Sequence, residues 1–119
     1  MYADPAQTQD MTAADRDVVA RKHTALRAEL STSGELVGGD GLAYPADTST
    51  LRLDDGTVVT TPGPLMASAV HLTAYYLVSC ASLERATAIA AAILDSHVTA
   101  IEVRHVHDSV GTDDDSQPR

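Results

Sequence analysis

The hydrophobic pattern predicts a long amphipathic helix in the first third of the chain. Thr12 and Asp15 form a capping-box pattern with aspartate in place of the usual glutamate, and Gly34 is a natural stop. We predict a helix over residues 12–33. Its apolar stripe is spaced by four, three and four residues and comprises Val19, His23, Leu26 and Leu30. The opposite, charged face is assigned Asp15, Arg16, Arg21 and Lys22.

Alternating polar and apolar positions predict a hairpin in the middle of the chain. Residues 49–54 alternate around Leu51 and Leu53, the pair Asp55-Gly56 suits a two-residue turn, and residues 57–61 form the returning strand. Residues 34–42 hold four glycines, so they form either a short strand that ends in a glycine turn or a loop.

The second half of the chain predicts a strand, a helix and a closing strand. Residues 71–80 form the strand, with Tyr76 on one face and Tyr75 on the other. Ser82 caps a helix that runs to about residue 96, and residues 99–107 alternate as the last strand. The inner stripe of this helix is predicted to hold Leu83, Ala86, Ala90, Ile93 and His97.

This order of elements predicts an α+β domain over residues 1–107, followed by an acidic tail over residues 108–119. Two helices on one face of a mostly antiparallel sheet give, most simply, a ferredoxin-like arrangement.

Composition narrows the function and the partners. The net charge of −9 argues against nucleic acid and against an anionic membrane surface, because both are bound through Lys and Arg. The 119 residues leave room for one domain, and a chain without Phe or Trp builds a core of small side chains. We therefore expect a second copy of the chain to complete the core. Cys80 is the single cysteine and no signal peptide is recognised, so we expect a cytoplasmic protein.

Three segments resemble the YCII-related family, in particular its DGPF subgroup of small dimeric α+β-barrel proteins. Residues 34–42 are similar to the glycine turn that follows the family's first helix, with Asp40 as the acidic residue. Residues 72–78 resemble the strand after the DGPF turn, and Glu102, Val103 and Arg104 resemble the closing strand. The resemblance implies a homodimer with a ferredoxin-like, dimeric α+β-barrel fold.

The chain also departs from this family pattern. Pro62-Gly63-Pro64-Leu65 stands where the family has Asp-Gly-Pro-Phe, and Ala67 stands where a glutamate is usual. Residues 1–4 resemble the end of the family's first strand without its beginning, which indicates either an upstream start or a shortened strand.

His23 and Asp40 are the candidate catalytic residues. His23 lies in a segment similar to the one in which catalytic family members place a histidine, and the resemblance implies an aspartate partner for acid–base work. The pKa of an unperturbed histidine is near neutrality, which suits proton transfer. The alternative is a core histidine bonded to a backbone carbonyl.

Tyr76 and Arg104 are the candidate substrate-binding residues. Arg104 either pairs with Glu102 or holds a carboxylated ligand. His105 and His107 have a ligand-compatible spacing, but no third ligand is evident, so no metal is expected.

Two functions remain open. The first is a cofactor-free acid–base enzyme, of lyase, isomerase or cyclase type in specialised or aromatic metabolism, that acts on a small organic molecule. The second is a non-catalytic, dimeric binding or regulatory module, linked to a sigma factor as family members often are.

Overall fold

A computed structural model describes residues 1–106. This part of the chain is mixed α+β, as predicted, with antiparallel strand pairs. A 3-10 turn at Pro45–Asp47 precedes the central hairpin. The helices and strands are β1 (Tyr2–Ala3), α1 (Pro5–Gln9), α2 (Ala13–Ser33), β2 (Leu36–Gly41), β3 (Ser49–Asp54), β4 (Thr57–Pro62), β5 (His71–Leu72), β6 (Ala74–Val78) and α3 (Leu83–Ile93).

Local sequence signals set both ends of α2. Thr12 Oγ1 accepts a hydrogen bond from the Asp15 N–H at 3.0 Å, and Asp15 Oδ2 accepts one from the Thr12 N–H at 3.2 Å. Gly34 ends the helix in the left-handed conformation with φ 79°, where glycine carries no steric penalty. The predicted helix and its capping box are therefore confirmed.

Three antiparallel pairs build the β structure: β1 with β5, β2 with β6, and β3 with β4. Thr73, between β5 and β6, donates its N–H to the Met1 carbonyl at 2.9 Å and accepts from the Leu42 N–H at 2.8 Å. Tyr2 in turn donates its N–H to the Ala100 carbonyl at 2.8 Å. The segments thus lie in the order β2, β5 with β6, β1, and the backbone at Ala100.

A glycine allows β2 to lie close against β6. Gly39 pairs with Tyr76, and a Cβ at Gly39 would come 2.6 Å from the Tyr75 carbonyl oxygen, well inside van der Waals contact. At Gly38, a Cβ would meet no atom within 4 Å. Of the two alternatives predicted for residues 34–42, a strand or a loop, the structure shows the strand.

The core forms where α2 and α3 pack on the same face of β2 and β6. Its buried residues are Leu30, Ile89 and Ile93, of which Leu30 is fully buried, and burial of each such side chain contributes about 2 kcal/mol. Half-buried neighbours surround them: Met1, Leu26, Leu36, Tyr76, Val78 and Ile101.

The second predicted helix, observed as α3, differs from the prediction at its C-terminal end and in its buried face. Ser82 caps it as expected, but Leu83 is exposed and Ile89 takes the buried position that was not predicted. The helix ends at Ile93 because Leu94 adopts an extended ψ of 134°. The predicted extension to residue 96 and the inward placement of Leu83 are therefore wrong.

Two ion pairs hold α3 in place. Arg85 Nε and Nη2 each lie 2.9 Å from a carboxylate oxygen of Glu35, just before β2, and this pairing lowers the pKa of Glu35 to about 2. Lys22 Nζ donates to the Ile93 carbonyl at 2.7 Å and lies 3.2 Å from Asp95 Oδ2. Lys22 thus closes the end of α3, and its predicted place on the solvent face of α2 is wrong.

The predicted closing strand is not formed within the described residues. Ala100 makes one bridge to Tyr2, and residues 101–106 form no strand. The bridge between Tyr2 and Ala100 is antiparallel, so Ile101 lies opposite Met1, outside the two-residue β1, and β1 offers no strand backbone to the residues that follow Ala100. Neither His107 nor the predicted tail over residues 108–119 lies within the described residues.

We expect Gly39→Ala to destabilise the protein by about 1–3 kcal/mol, because the added methyl overlaps the Tyr75 carbonyl. Gly38→Ala is the matched control, with an expected cost of less than about 1 kcal/mol. Urea unfolding of both variants measures the difference. Equal costs would contradict the close approach at Gly39.

Candidate functional site

His23 and Tyr76 meet where α2 crosses the sheet. His23 Nδ1 lies 2.6 Å from the Tyr76 hydroxyl oxygen, within hydrogen-bond distance. The two rings are stacked, with centroids 5.9 Å apart and planes inclined by 30°. Both side chains are half-buried. The partner of His23 is therefore the phenol of Tyr76. The alternative prediction, a core histidine, had a backbone carbonyl as the partner.

Arg27 is the residue that sequence reasoning missed at this site. Its Nη1 donates to the Gly39 carbonyl at 3.1 Å, and its guanidinium carbon lies 5.9 Å from the centroid of the Tyr76 ring. Arg27 follows His23 by four residues, a spacing that places both on one helix face. The four-residue spacing was the signal in the sequence that Arg27 accompanies His23. It could be interpreted only once Tyr76 was known to face α2.

The surroundings favour the neutral form of His23. Burial lowers the pKa of the imidazole below its ordinary value, and the positive charges of Lys22 and Arg27 lower it further, against an opposing effect of Asp95. Burial also raises the pKa of the Tyr76 phenol, against the effect of Arg27. At neutral pH the pair is thus a neutral imidazole and a protonated phenol, which can exchange roles as donor and acceptor.

Asp40 does not contact His23. The Tyr75 hydroxyl donates to Asp40 Oδ2 at 2.9 Å, and this bond raises the pKa of the phenol. Asp40 pairs with Tyr75 across the strands, so both face away from Tyr76 and from the helices. The predicted pairing of His23 with Asp40 is therefore corrected: the two side chains lie on opposite faces of the sheet.

Arg104 is also separate from His23 and Tyr76. Glu102 raises the pKa of the Tyr2 phenol, mainly through hydrogen bonding, and Arg104 acts in the opposite direction. Tyr2 lies opposite Leu72 in the ladder, and both point away from the helices. Among the ion pairs of residues 1–106, none joins Glu102 to Arg104. The structure thus brings Tyr76, but not Arg104, to the candidate histidine.

Two open clefts lie away from the His23–Tyr76 pair. One has a volume of about 290 Å³ and lies between α1, the 3-10 turn and the segment before β5, where Tyr44 and His71 line it. The other, about 240 Å³, lies beside α2 and the end of α3 and is lined by Lys22, Asp95 and His97. Both are at or below the usual size of a small-molecule site.

The described residues show neither a metal-binding group nor a membrane span. No three His, Cys, Asp or Glu side chains within residues 1–106 are arranged to hold a metal ion. His105 is exposed. In the same part of the chain, no helix has the length and apolar character needed to cross a bilayer.

No protein-family model matches the chain, and no curated protein matches its sequence.

We expect the free energy of unfolding to fall as the pH drops below about 6.5, the ordinary pKa of histidine. In that range His23 binds a proton in the unfolded chain, whereas in the folded chain its lowered pKa keeps it largely unprotonated. Protonation therefore favours the unfolded chain. His23→Gln removes this part of the pH dependence. Urea unfolding at pH 7.5 and 5.5 measures it, and NMR titration of the imidazole gives the pKa directly.

The contribution of Glu35 does not confuse this measurement. Its pKa is lowered from 4.5 to about 2, so its stabilising effect is complete above pH 4.5 and is lost only as the pH falls toward 2. An unchanged difference between pH 7.5 and 5.5 in His23→Gln would contradict the assignment.

Proposed function

We propose that this protein is a small-molecule-binding, cofactor-free acid–base enzyme of the lyase, isomerase or cyclase type. The observation that carries the proposal is the 2.6 Å contact between His23 Nδ1 and the Tyr76 hydroxyl at a half-buried position. A hydrogen-bonded imidazole and phenol can hold and move a proton without a metal or an organic cofactor.

The proposed chemistry follows from the two tautomers of His23. When Tyr76 donates to Nδ1, the imidazole proton is on Nε2; His23 gives this proton to a substrate as a general acid while the Tyr76 hydroxyl passes its own proton to Nδ1, which leaves a phenolate beside Arg27. When Nδ1 carries the proton and donates to the Tyr76 oxygen, Nε2 is free to accept a proton as a general base. Tyr76 therefore orients the ring and is the hydrogen-bond partner of Nδ1 in either tautomer.

Charge around the pair supports a small organic anion as ligand. Arg27 uses one N–H on the Gly39 carbonyl, and a guanidinium has five N–H donors in all. Arg27 and Lys22 bring positive charge close to His23 in a chain of net charge −9, although Asp95 pairs with Lys22 and opposes it. A guanidinium binds carboxylate or phosphate groups in two-point geometry.

The finer fold assignment belongs to the same proposal. Four segments lie side by side in the order β2, the β5–β6 segment, β1 and the backbone at Ala100. By their order along the chain, they are the second, third, first and fourth of these segments. A ferredoxin-like sheet has this order, and the β3–β4 hairpin would then be an insertion. This order supports the YCII-related resemblance, as does the position of His23 on the first long helix. The lone Cys80 supports a reducing, cytoplasmic setting.

One observation favours the alternative of a non-catalytic, dimeric binding or regulatory module. Neither of the two clefts described above is lined by His23 or Tyr76. A binding module would use such a cleft and leave the pair as a structural contact. Binding without proton transfer is the result that separates this alternative from the enzyme.

Proton exchange tests the proposed chemistry even while the natural substrate is unidentified. The protein is incubated in D2O with a pool of small enolisable carboxylic acids, and NMR follows binding and deuterium incorporation at carbon. We expect the wild type to accelerate exchange in at least one compound. We expect His23→Gln to slow this reaction by about 100-fold or more and Tyr76→Phe by about tenfold.

Tyr75→Phe is the matched control, because Tyr75 is adjacent in β6 but faces away from the helices. It should change the exchange rate by less than about twofold. Exchange that survives in His23→Gln would contradict the enzyme. Binding of a compound that never exchanges would favour the binding module.

A further inference from the structure

The β3–β4 hairpin projects from the body of the protein with one apolar face unpartnered. Its strands contact each other far more than they contact any other element of residues 1–106. Leu51, Leu53 and Val58 are 61%, 74% and 61% exposed. An isolated two-stranded hairpin is marginally stable in water, so this segment needs a surface to lie against.

The register divides the hairpin into a charged and an uncharged face. Leu51 lies opposite Thr60 and Leu53 lies opposite Val58, so these four side chains share one face. Arg52 and Asp54, the charged residues of the two strands, point to the other face. An uncharged face avoids repulsion when it lies against an acidic surface, and the sheet face that points away from the helices carries Asp40 beside Tyr75.

The open face of the sheet offers a complementary surface. The residues that point away from the helices include Leu72, Tyr75 and Leu77, and all three are exposed, as is Val37 at the β2 bulge. Six-residue strands span about 20 Å, and five-residue β6 spans about 17 Å. The hairpin is therefore long enough to cover the sheet.

The area points to a second copy of the chain as the occupant. Seven partly exposed side chains on these two surfaces offer roughly 100 Å² each, or about 700 Å² per chain. A reciprocal contact between two copies would then bury about 1,400 Å², within the range of stable interfaces. A single hairpin face on its own would bury about half of that.

We propose that the β3–β4 hairpin is an assembly arm, whose apolar face lies on the open sheet face of a second copy of the chain. A two-fold axis makes the contact reciprocal, so each chain contributes one arm and one sheet face and neither surface is left over. This inference rests on the proposed homodimer and is independent of proton transfer by His23.

Adjacent valines provide a matched test of the arm. Val58→Asp places a charge on the apolar face, and Val59→Asp places the same charge on the opposite face of the same strand. Sedimentation equilibrium over a range of concentrations gives the dimer dissociation constant. We expect Val58→Asp to raise this constant by about tenfold or more and Val59→Asp by less than about threefold.

A deletion checks that the body of the protein folds without the arm. The Gly63 N–H lies 2.7 Å from the Thr48 carbonyl oxygen at the base of the hairpin, so two glycines can replace residues 49–62. We expect this variant to keep its far-UV circular dichroism from the helices and to be monomeric. A deletion variant that dimerises like the wild type would overturn the arm.

Disulfide trapping identifies the surface on which the arm lies. Leu53→Cys and Leu77→Cys are each made with Cys80→Ser and mixed under mild oxidation. We expect a disulfide between the two different variants. A disulfide formed only between two copies of the Leu53→Cys variant would overturn the proposed sheet contact.

The outcomes separate the arm from the homodimer and from the enzyme. A wild type that is monomeric at every concentration would overturn both the homodimer and the arm. A dimer that Val58→Asp and Val59→Asp weaken equally, or leave unchanged, would overturn the arm alone. Neither result changes the outcome expected for deuterium exchange in His23→Gln, so the enzyme is tested separately from the arm.

Discussion

The close packing of α2 on the β2–β6 pair is the contact on which the rest of the structure depends. Leu30 is fully buried in it, and Gly39 lets the backbone of β2 approach β6 without a clash. On the helix-covered face of this pair, α2 crosses Tyr76 and places His23 Nδ1 2.6 Å from the phenol oxygen. The packing of α2 on β2 and β6 therefore supports both the small core and the candidate site.

Charge is distributed unevenly over this frame. The chain has twice as many acidic residues as basic ones, yet two of its eight Lys and Arg residues, Lys22 and Arg27, lie close enough to His23 to lower the pKa of the imidazole. Each also has a structural role: Lys22 closes the end of α3 and Arg27 binds the β2 backbone. Burial is the main cause of the lowered pKa of His23, and the groups that hold the elements together add to it, which couples the electrostatics of the site to the fold.

The sequence predicted the elements whose signals are local. The capping box at Thr12, the left-handed Gly34 and the turn at Asp55-Gly56 each depend on a few neighbouring residues, so α2 and the β3–β4 hairpin were predicted almost to the residue. Within residues 1–106, the lack of a strand after Ala100 depends instead on the extent of β1, which lies about 100 residues away in the chain. No pattern within residues 99–107 indicates how long β1 is.

The site shows the same limit in finer detail. Alternation placed Tyr75 and Tyr76 on opposite faces correctly, and the helical stripe placed His23 inward. The choice of Asp40 as the partner of His23 failed because the face of a strand residue depends on its pairing, and the bulge between Leu36 and Gly38 changes the alternation within β2. The sequence does not show on which face of the sheet a carboxylate in a glycine-rich strand lies, because this depends on the register of the strand. In this chain the register gives Asp40 to Tyr75 and leaves Tyr76 as the partner of His23, so one bulge decides which side chain contacts His23.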